Sequence, residues 1–449
     1  MEKNLTTGSV FKNVIIFSLP YVLSYFLQTL YGMADLFIVG QFNGVESTTA
    51  VSIGSQVMHM LTVMIVGLAM GTTVSIAKAV GAKEHEKVHQ STGNTISLFL
   101  IVAFVLMIVL VMGVNPIVHW MSTPQAAVDG TTKYLIICFI GIPFITAYNI
   151  ISSIFRGMGD SQSPMYFIGV ACLANIVLDY VFIGGLHLGA VGAALGTTFS
   201  QAVSVLISLI VIVKKQLITL HKEDFKLRSS VMKNILSVGT PIAFQDGLIQ
   251  VSFILITIIA NQRGLNDAAA VGIVEKIMSF LFLIPSSMLS TVSALGAQNI
   301  GAHKMDRAIQ TLRYAIMISV GFECIVSVFM QFRAEDVVAL FTNRQTMQGQ
   351  EVVRLGGQYL KGYVWDSVFA GIHFSFSGYF CAFGKSIYSF IHNIIAIVLV
   401  RVPGAYLAST LYATTLFPMG LATAAGSLLS VCICSILFVR LQRGMLHGE

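Results

Sequence analysis

Six carboxylates stand where water should be scarce. Asp35, Asp179, Asp246, Glu275, Glu323 and Asp366 fall inside long apolar runs, whereas the other 14 of the 20 acids lie in loops or near the ends. An ionised carboxylate in hydrocarbon costs several kcal/mol, so such groups are paired, face a cavity or carry a proton. Removal from water favours the neutral form of an acid. A carboxylate of this kind can therefore exchange a proton, or Na⁺, for a cationic solute. Asn175 and Asp179 are four residues apart and share a helix face. An amide beside a carboxylate can share a bound ion or proton. At about 1.5 Å per residue, Asp179 lies about 22 Å from the inner start of its span. Thr197 lies roughly 12 Å in from the outer start of the next span, and Asp35 lies in the outer part of the first. The three depths converge, so Asp35, Asn175, Asp179 and Thr197 are the candidate set for cation or proton coupling. Their oxygens also suit Na⁺.

In the second half the acids are harder to assign. Asp246 and Asp366 could line a cavity. Glu275 and Arg401 reach a similar depth and could pair, which would be a structural role. For Glu323 a packing role is favoured. His59, His373 and His392 are read as core or cavity residues rather than proton carriers. Pro20, inside the first span, removes one backbone hydrogen bond and permits a kink. Its bending could respond to the charge on Asp35. The six cysteines lie in or beside apolar runs and are read as small hydrophobes, with no CxxC and no zinc spacing, so no structural metal is expected.

The elements that must hold these residues follow from composition. The chain has 449 residues, 55% hydrophobic and 10% charged, where a soluble domain carries roughly 25% charged residues. Its mean hydropathy is +0.82. A water-soluble enzyme, a disordered chain and a nucleic-acid-binding domain are excluded. Hydrophobic runs predict twelve spans, at 14–39, 51–77, 92–114, 134–155, 164–184, 189–213, 234–260, 268–295, 308–331, 359–383, 387–410 and 416–439. The first is too long for a signal peptide and carries Pro20 and Asp35, so it is read as a retained helix. With the N-terminus placed inside, 18 of the 26 Lys and Arg residues fall in cytoplasmic segments and 6 in outer ones. That bias places both termini in the cytoplasm of a multi-pass cell-membrane protein.

The chain also repeats itself. VFKNVIIFSLP at 10–20 resembles VMKNILSVGTP at 231–241, and AKAVGAKEHEKVHQ at 77–90 resembles AQNIGAHKMDRAIQ at 297–310. FRGMGDSQSP at 155–164 is echoed by FCAFGKSIYS at 380–389. The repeat is six helices long, so the halves share an orientation about an axis along the membrane normal. The expected fold is an all-α integral membrane protein of two six-helix lobes. The expected domains are an N-lobe at 1–213, a basic linker at 214–233 and a C-lobe at 234–449. No P-loop occurs, so ATP drive is not expected. No HExxH, GxSxG or GxGD motif supports an intramembrane enzyme.

The segments SLPYVLSYFLQTLYGMADLFIVG at 18–40, AKAVGAKE at 77–84, FRGMGDSQSPM at 155–165, NIVLDYVFI at 175–183, GAVGAALGTTFSQ at 189–201, GAQNIGA at 296–302 and RVP at 401–403 carry a resemblance to the multidrug and toxin extrusion (MATE) transporters. It covers nearly the whole chain and looks closest to the DinF-like and MepA-like bacterial branches. The resemblance implies alternating access and export of organic, often cationic, compounds against H⁺ or Na⁺, with no other cofactor. Its partners would be small organic substrates and membrane lipid, with no nucleic acid, and one chain would suffice as a monomer. It assigns coupling to Asp35, Asn175, Asp179 and Thr197, a cavity tyrosine to Tyr134 and a bending proline to Pro20. The NorM-like acid of the seventh helix falls at Gln250 here, with Asp246 one turn away. The tenth-helix acid falls near Ala370, one turn from Asp366. Gln250, Asp246, Asp366 and Glu275 are thus substrate or cavity candidates, and the first lobe is favoured for coupling. The alternative function is a lipid or lipid-linked oligosaccharide flippase. Against it, Lys276 and Arg401 are the few basic residues within spans.

Overall fold

Apolar runs of this length fold as helices because a bilayer offers no partner for backbone N–H and C=O groups. The computed structural model describes residues 3–214, 220–342 and 344–447. Residues 215–219 of the expected linker lie outside them. The helices, numbered by span, are α1 Val10–Phe42, α2 Val45–Gly81, α3 His85–Met112 and α4, which is Val128–Ile140 followed by Ile142–Gly157. Then come α5 Gln162–Gly185, α6 Gly189–Lys214, α7 Ser229–Arg263 and α8 Leu265–Gly301. Last are α9 Met305–Val338, α10 (Met347–Tyr363 with Trp365–Ala382), α11 Ile387–Leu411 and α12 Phe417–His447.

Among the described residues ten helices are individually long and apolar enough to cross a membrane, and α4, bent by 47°, makes an eleventh. The twelfth, α10, does not meet that measure, because Gln350, Glu351, Arg354, Gln358 and Lys361 make its first half amphipathic. α1 passes through Pro20 without a break, and Ser24 Oγ donates to the Pro20 carbonyl at 2.7 Å.

Two compact units form. One comprises residues 1–7, 16–243 and 301–303, the other 8–15, 244–300 and 304–449. Glycines set the helix approaches within each. In the first, a Cβ on Gly71 would lie 1.9 Å from the Ile235 carbonyl, and one on Gly239 would lie 2.1 Å from that of Leu68. In the second, Gly362 and Gly420 play the same paired role where α10 crosses α12. Small residues let membrane helices pack backbone to backbone.

The sequence repeat reappears as repeated backbone. After α2 and after α8, Lys83 (φ 59°) and His303 (φ 57°) take the left-handed conformation at equivalent positions. The turn is closed in each by one amide, Glu84 N–H to the Ala79 carbonyl and Lys304 N–H to that of Asn299. Gly159 (φ 89°) and Gly384 (φ 74°) match in the same way after α4 and α10. Among the described residues each unit also has one π-helical turn, Tyr180–Gly185 in α5 and Ile397–Arg401 in α11.

The described part of the linker is docked rather than loose. Asn94 Nδ2 donates to the Asp224 carbonyl at 3.1 Å, Ser97 Oγ donates to that of Phe225 at 2.9 Å, and Asn94 Oδ1 accepts from Arg228 N–H at 2.6 Å. α3 therefore holds this strand of chain by three side-chain bonds.

Candidate functional site

The first unit brings α1, α5 and α6 together around Asp35. Thr197 Oγ1 donates to Asp35 Oδ2 at 3.1 Å. Asn175 and Asp179 are close enough to Asp35 for side-chain hydrogen bonding. Even so, neither Asp179 oxygen, neither amide atom of Asn175, nor Asp35 Oδ1 has a partner of good geometry. Asp35 is 3% exposed, and Asn175 and Asp179 are fully buried. The four residues chosen from the sequence thus form one cluster, built from three helices. Asn175 and Asp179 reach it from one face of α5, as their spacing predicts.

Two features of this cluster escape a residue-type search. A Cβ on Gly196 would lie 2.1 Å from Asp179 Oδ1, so the Asp179 carboxylate occupies the space that a side chain on α6 would need. The π-helical turn of α5 begins at the residue after Asp179. Such turns insert one residue into a helix and re-aim its side chains, often at functional sites. The small-residue run at 189–198 was the available signal for Gly196; nothing in the sequence marks the π turn.

Tyr31, one turn before Asp35, joins Tyr134 and Cys138 within electrostatic reach of the Asp35 carboxylate. Tyr134 is buried, its ring laid on Gly54 of α2, where a Cβ would lie 2.3 Å from Cδ1.

In the second unit the pairing differs from expectation. Arg401 lies 3.6 Å from Asp366 Oδ2 rather than forming an ion pair with Glu275. It also donates to the Tyr363 hydroxyl at 3.0 Å and stands 4.9 Å from the centre of the Phe253 ring. Glu275 instead accepts from Thr257 Oγ1 at 3.1 Å. The physical reason is helix rotation: Arg401 sits in the π turn of α11, and Gly426 of α12 leaves room for its Cβ. Asp246 has only a 3.4 Å contact from Gln245 Nε2, and Gln250 is half-buried one turn later; neither joins the Arg401 group. His373 and His392 lie with ring centres 5.4 Å apart, and His392 Nε2 shares a 2.9 Å hydrogen bond with Ser377 Oγ.

A buried carboxylate pair beside an amide, a hydroxyl and no cationic side chain has the composition of a site for a small cation. One proton or one Na⁺ would relieve the repulsion between two negative charges held in low dielectric. Known proteins resemble the chain over most of its length. The profile of the MatE family matches residues 20–181 and 241–407, one stretch in each half. The chain is 26% identical over 409 residues to the probable multidrug resistance protein YoeA of Bacillus subtilis (strain 168), covering 89% of this chain and 87% of that one. It is 25% identical over 382 residues to the multidrug export protein MepA of Staphylococcus haemolyticus (strain JCSC1435), covering 84% and 82%. Among solved structures, MATE in complex with MaL6 superposes with a TM-score of 0.90 at 23% identity, covering 99% of both chains. The outward-facing conformation of a multidrug resistance MATE family transporter gives 0.90 at 23% identity, over 99% of this chain and 98% of that one.

Proposed function

The chain belongs to the MatE family, and on that premise we propose that it is a secondary active exporter of organic, often cationic, compounds, driven by inward exchange of H⁺ or Na⁺. The single observation that carries this is the meeting of buried Asp35, Asn175 and Asp179 with partly buried Thr197. With a cation bound, the two carboxylates share its charge. With it released, they repel each other and attract a cationic solute. Asp35 sits on α1 and Asp179 on α5, so that change of force acts between helices and favours different arrangements of the unit. A bilayer makes the coupling strict, because an unpaired charge cannot be left in hydrocarbon without cost. Alternating access follows if the two charge states favour opposite openings. Pro20, where α1 lacks a hydrogen bond, is the natural point for that helix to yield.

The protein acts as a transporter and not as an enzyme, in the cell membrane, with both termini cytoplasmic and one chain holding both lobes. The multidrug names of YoeA and MepA support a broad range of organic substrates. The test is efflux of a fluorescent organic cation from cells expressing wild type, Asp35→Asn or Asp179→Asn at equal levels. Both variants are expected to lose at least nine-tenths of the efflux. Normal pumping by both would refute the coupling role.

A further inference from the structure

The second unit holds a buried carboxylate for which the exchange proposed above has no use. Glu323 lies near the middle of α9, is fully buried, and neither of its oxygens has a hydrogen-bond partner. Ser319 and Ser327, one turn to either side, are fully buried as well, and the three share a helix face. That face meets α10. A Cβ on Gly371 would lie 2.4 Å from Ser319 Oγ, Ser367 Oγ stands near Glu323 but donates to the Val364 carbonyl at 2.8 Å, and Ser327 Oγ donates to the same carbonyl at 3.4 Å. Ser319 Oγ also has no partner. Oxygen donors line this seam throughout.

The repeat supplies an internal control. Carrying the 77–90 and 297–310 match along α3 and α9 without a gap aligns Ser319, Glu323 and Ser327 with Phe99, Ala103 and Met107. In the first unit that seam is apolar, with Phe99 and Ala103 buried. Helix packing in this fold therefore does not call for a carboxylate and two hydroxyls there. An unpaired buried polar group costs about 1–3 kcal/mol, more if charged, which leaves a ligand as the reason for keeping Glu323 and Ser319 unpaired.

We propose that Glu323, with the hydroxyls of Ser319, Ser327 and Ser367, forms a site for one small hard monovalent cation, H⁺ or Na⁺, in the second unit. Ionised, Glu323 supplies the charge and the serines supply neutral oxygens, which is the donor chemistry such cations take. Competing side chains on the packed helices are occupied elsewhere or out of contact. Asp366 faces Arg401, and Glu275 accepts from Thr257. His373 packs against His392, and Tyr363 accepts from Arg401. Lys276 and Lys361 make no hydrogen bond or ion pair with Glu323. The proposal extends the coupling reading to a second bound cation. It is tested by binding rather than by transport, so the two can fail separately.

The experiment is infrared difference spectroscopy of the full-length protein in lipid, with one arm stepping pH without Na⁺ and the other adding Na⁺ at fixed pH. Wild type is expected to show a carboxyl band that Glu323→Gln lacks and Asp35→Asn keeps. A band in the pH arm alone identifies a proton site. A band shifted by Na⁺ identifies a sodium site, whose affinity Glu323→Gln should weaken at least tenfold. Superposable spectra of wild type and Glu323→Gln in both arms would overturn the proposal. Should Glu323→Gln fail to fold, the Ser319→Ala, Ser367→Ala double variant is expected to shift the same band, and an unshifted band would overturn it equally.

Discussion

At position 196 the absence of a side chain is what lets Asp179 hold its place. A methyl group there would need the space of the Asp179 carboxylate, 2.1 Å away, so one of them must move. Gly196→Ala is expected to insert and fold yet to cut ion-driven transport at least tenfold. Transport assays at matched expression check this, and wild-type rates would show that Asp179 need not sit where it does. Arg401 makes the opposite case, a buried cation set beside Asp366, Tyr363 and Phe253. Removing one member of a buried ion pair costs about 3–5 kcal/mol, because the other is left charged and unpaired. Arg401→Met should therefore destabilise the protein by about that much. The Arg401→Met, Asp366→Asn double variant should recover most of the loss, as read from thermal unfolding in detergent. Equal losses in single and double variants would show that the pair does not matter.

Among elements, α5 shows how a helix is fixed at both ends. Its start is held by Asp160, which accepts from Gln162 N–H at 3.0 Å, from Ser163 Oγ at 2.6 Å and from Lys3 Nζ at 3.2 Å. Burial works against the charge on Asp160, but Ser163, Lys3 and the Gln162 amide outweigh it and hold the carboxyl below its ordinary range. A group depressed in this way stabilises the fold above its unfolded pKa, and that contribution fades as pH falls through the folded value. Asp160→Asn is expected to lower the melting temperature at neutral pH, with the gap closing below about pH 4. A gap independent of pH would mean that the charge is irrelevant. The far end of α5 is the π turn that follows Asp179. The spans themselves were legible because a run of apolar residues has one fate in a bilayer. The partner of Arg401 was not, because depth along a helix is readable from the sequence whereas rotation about its axis is not. Depth placed Arg401 beside Glu275; rotation turned it toward Asp366. The π turns were hidden for the same reason, since they change rotation without changing composition.

On the scale of the whole molecule, a duplicated chain has kept its backbone and varied its chemistry. The turn residues Lys83 and His303, or Gly159 and Gly384, superpose in conformation. Buried hydroxyls partly follow the repeat, as Thr73 and Ser293 do, but the buried acids do not. Matching 10–20 to 231–241 pairs Asp35 with Ile256, which lies in the apolar core of the second unit, while Glu323 pairs with Ala103. The family was readable from seven short segments, and the grouping of Asp35, Asn175, Asp179 and Thr197 from depth and spacing. The tightness of that cluster was not, since it depends on Gly196. The central claim is that Asp35 and Asp179 convert an ion gradient into export. The most direct measurement is uptake of an organic cation into sealed proteoliposomes, with a pH gradient and a Na⁺ gradient imposed in separate experiments. Wild type should respond to at least one of them, and Asp35→Asn and Asp179→Asn to neither. Gradient-driven uptake by both variants at the wild-type rate would contradict the account.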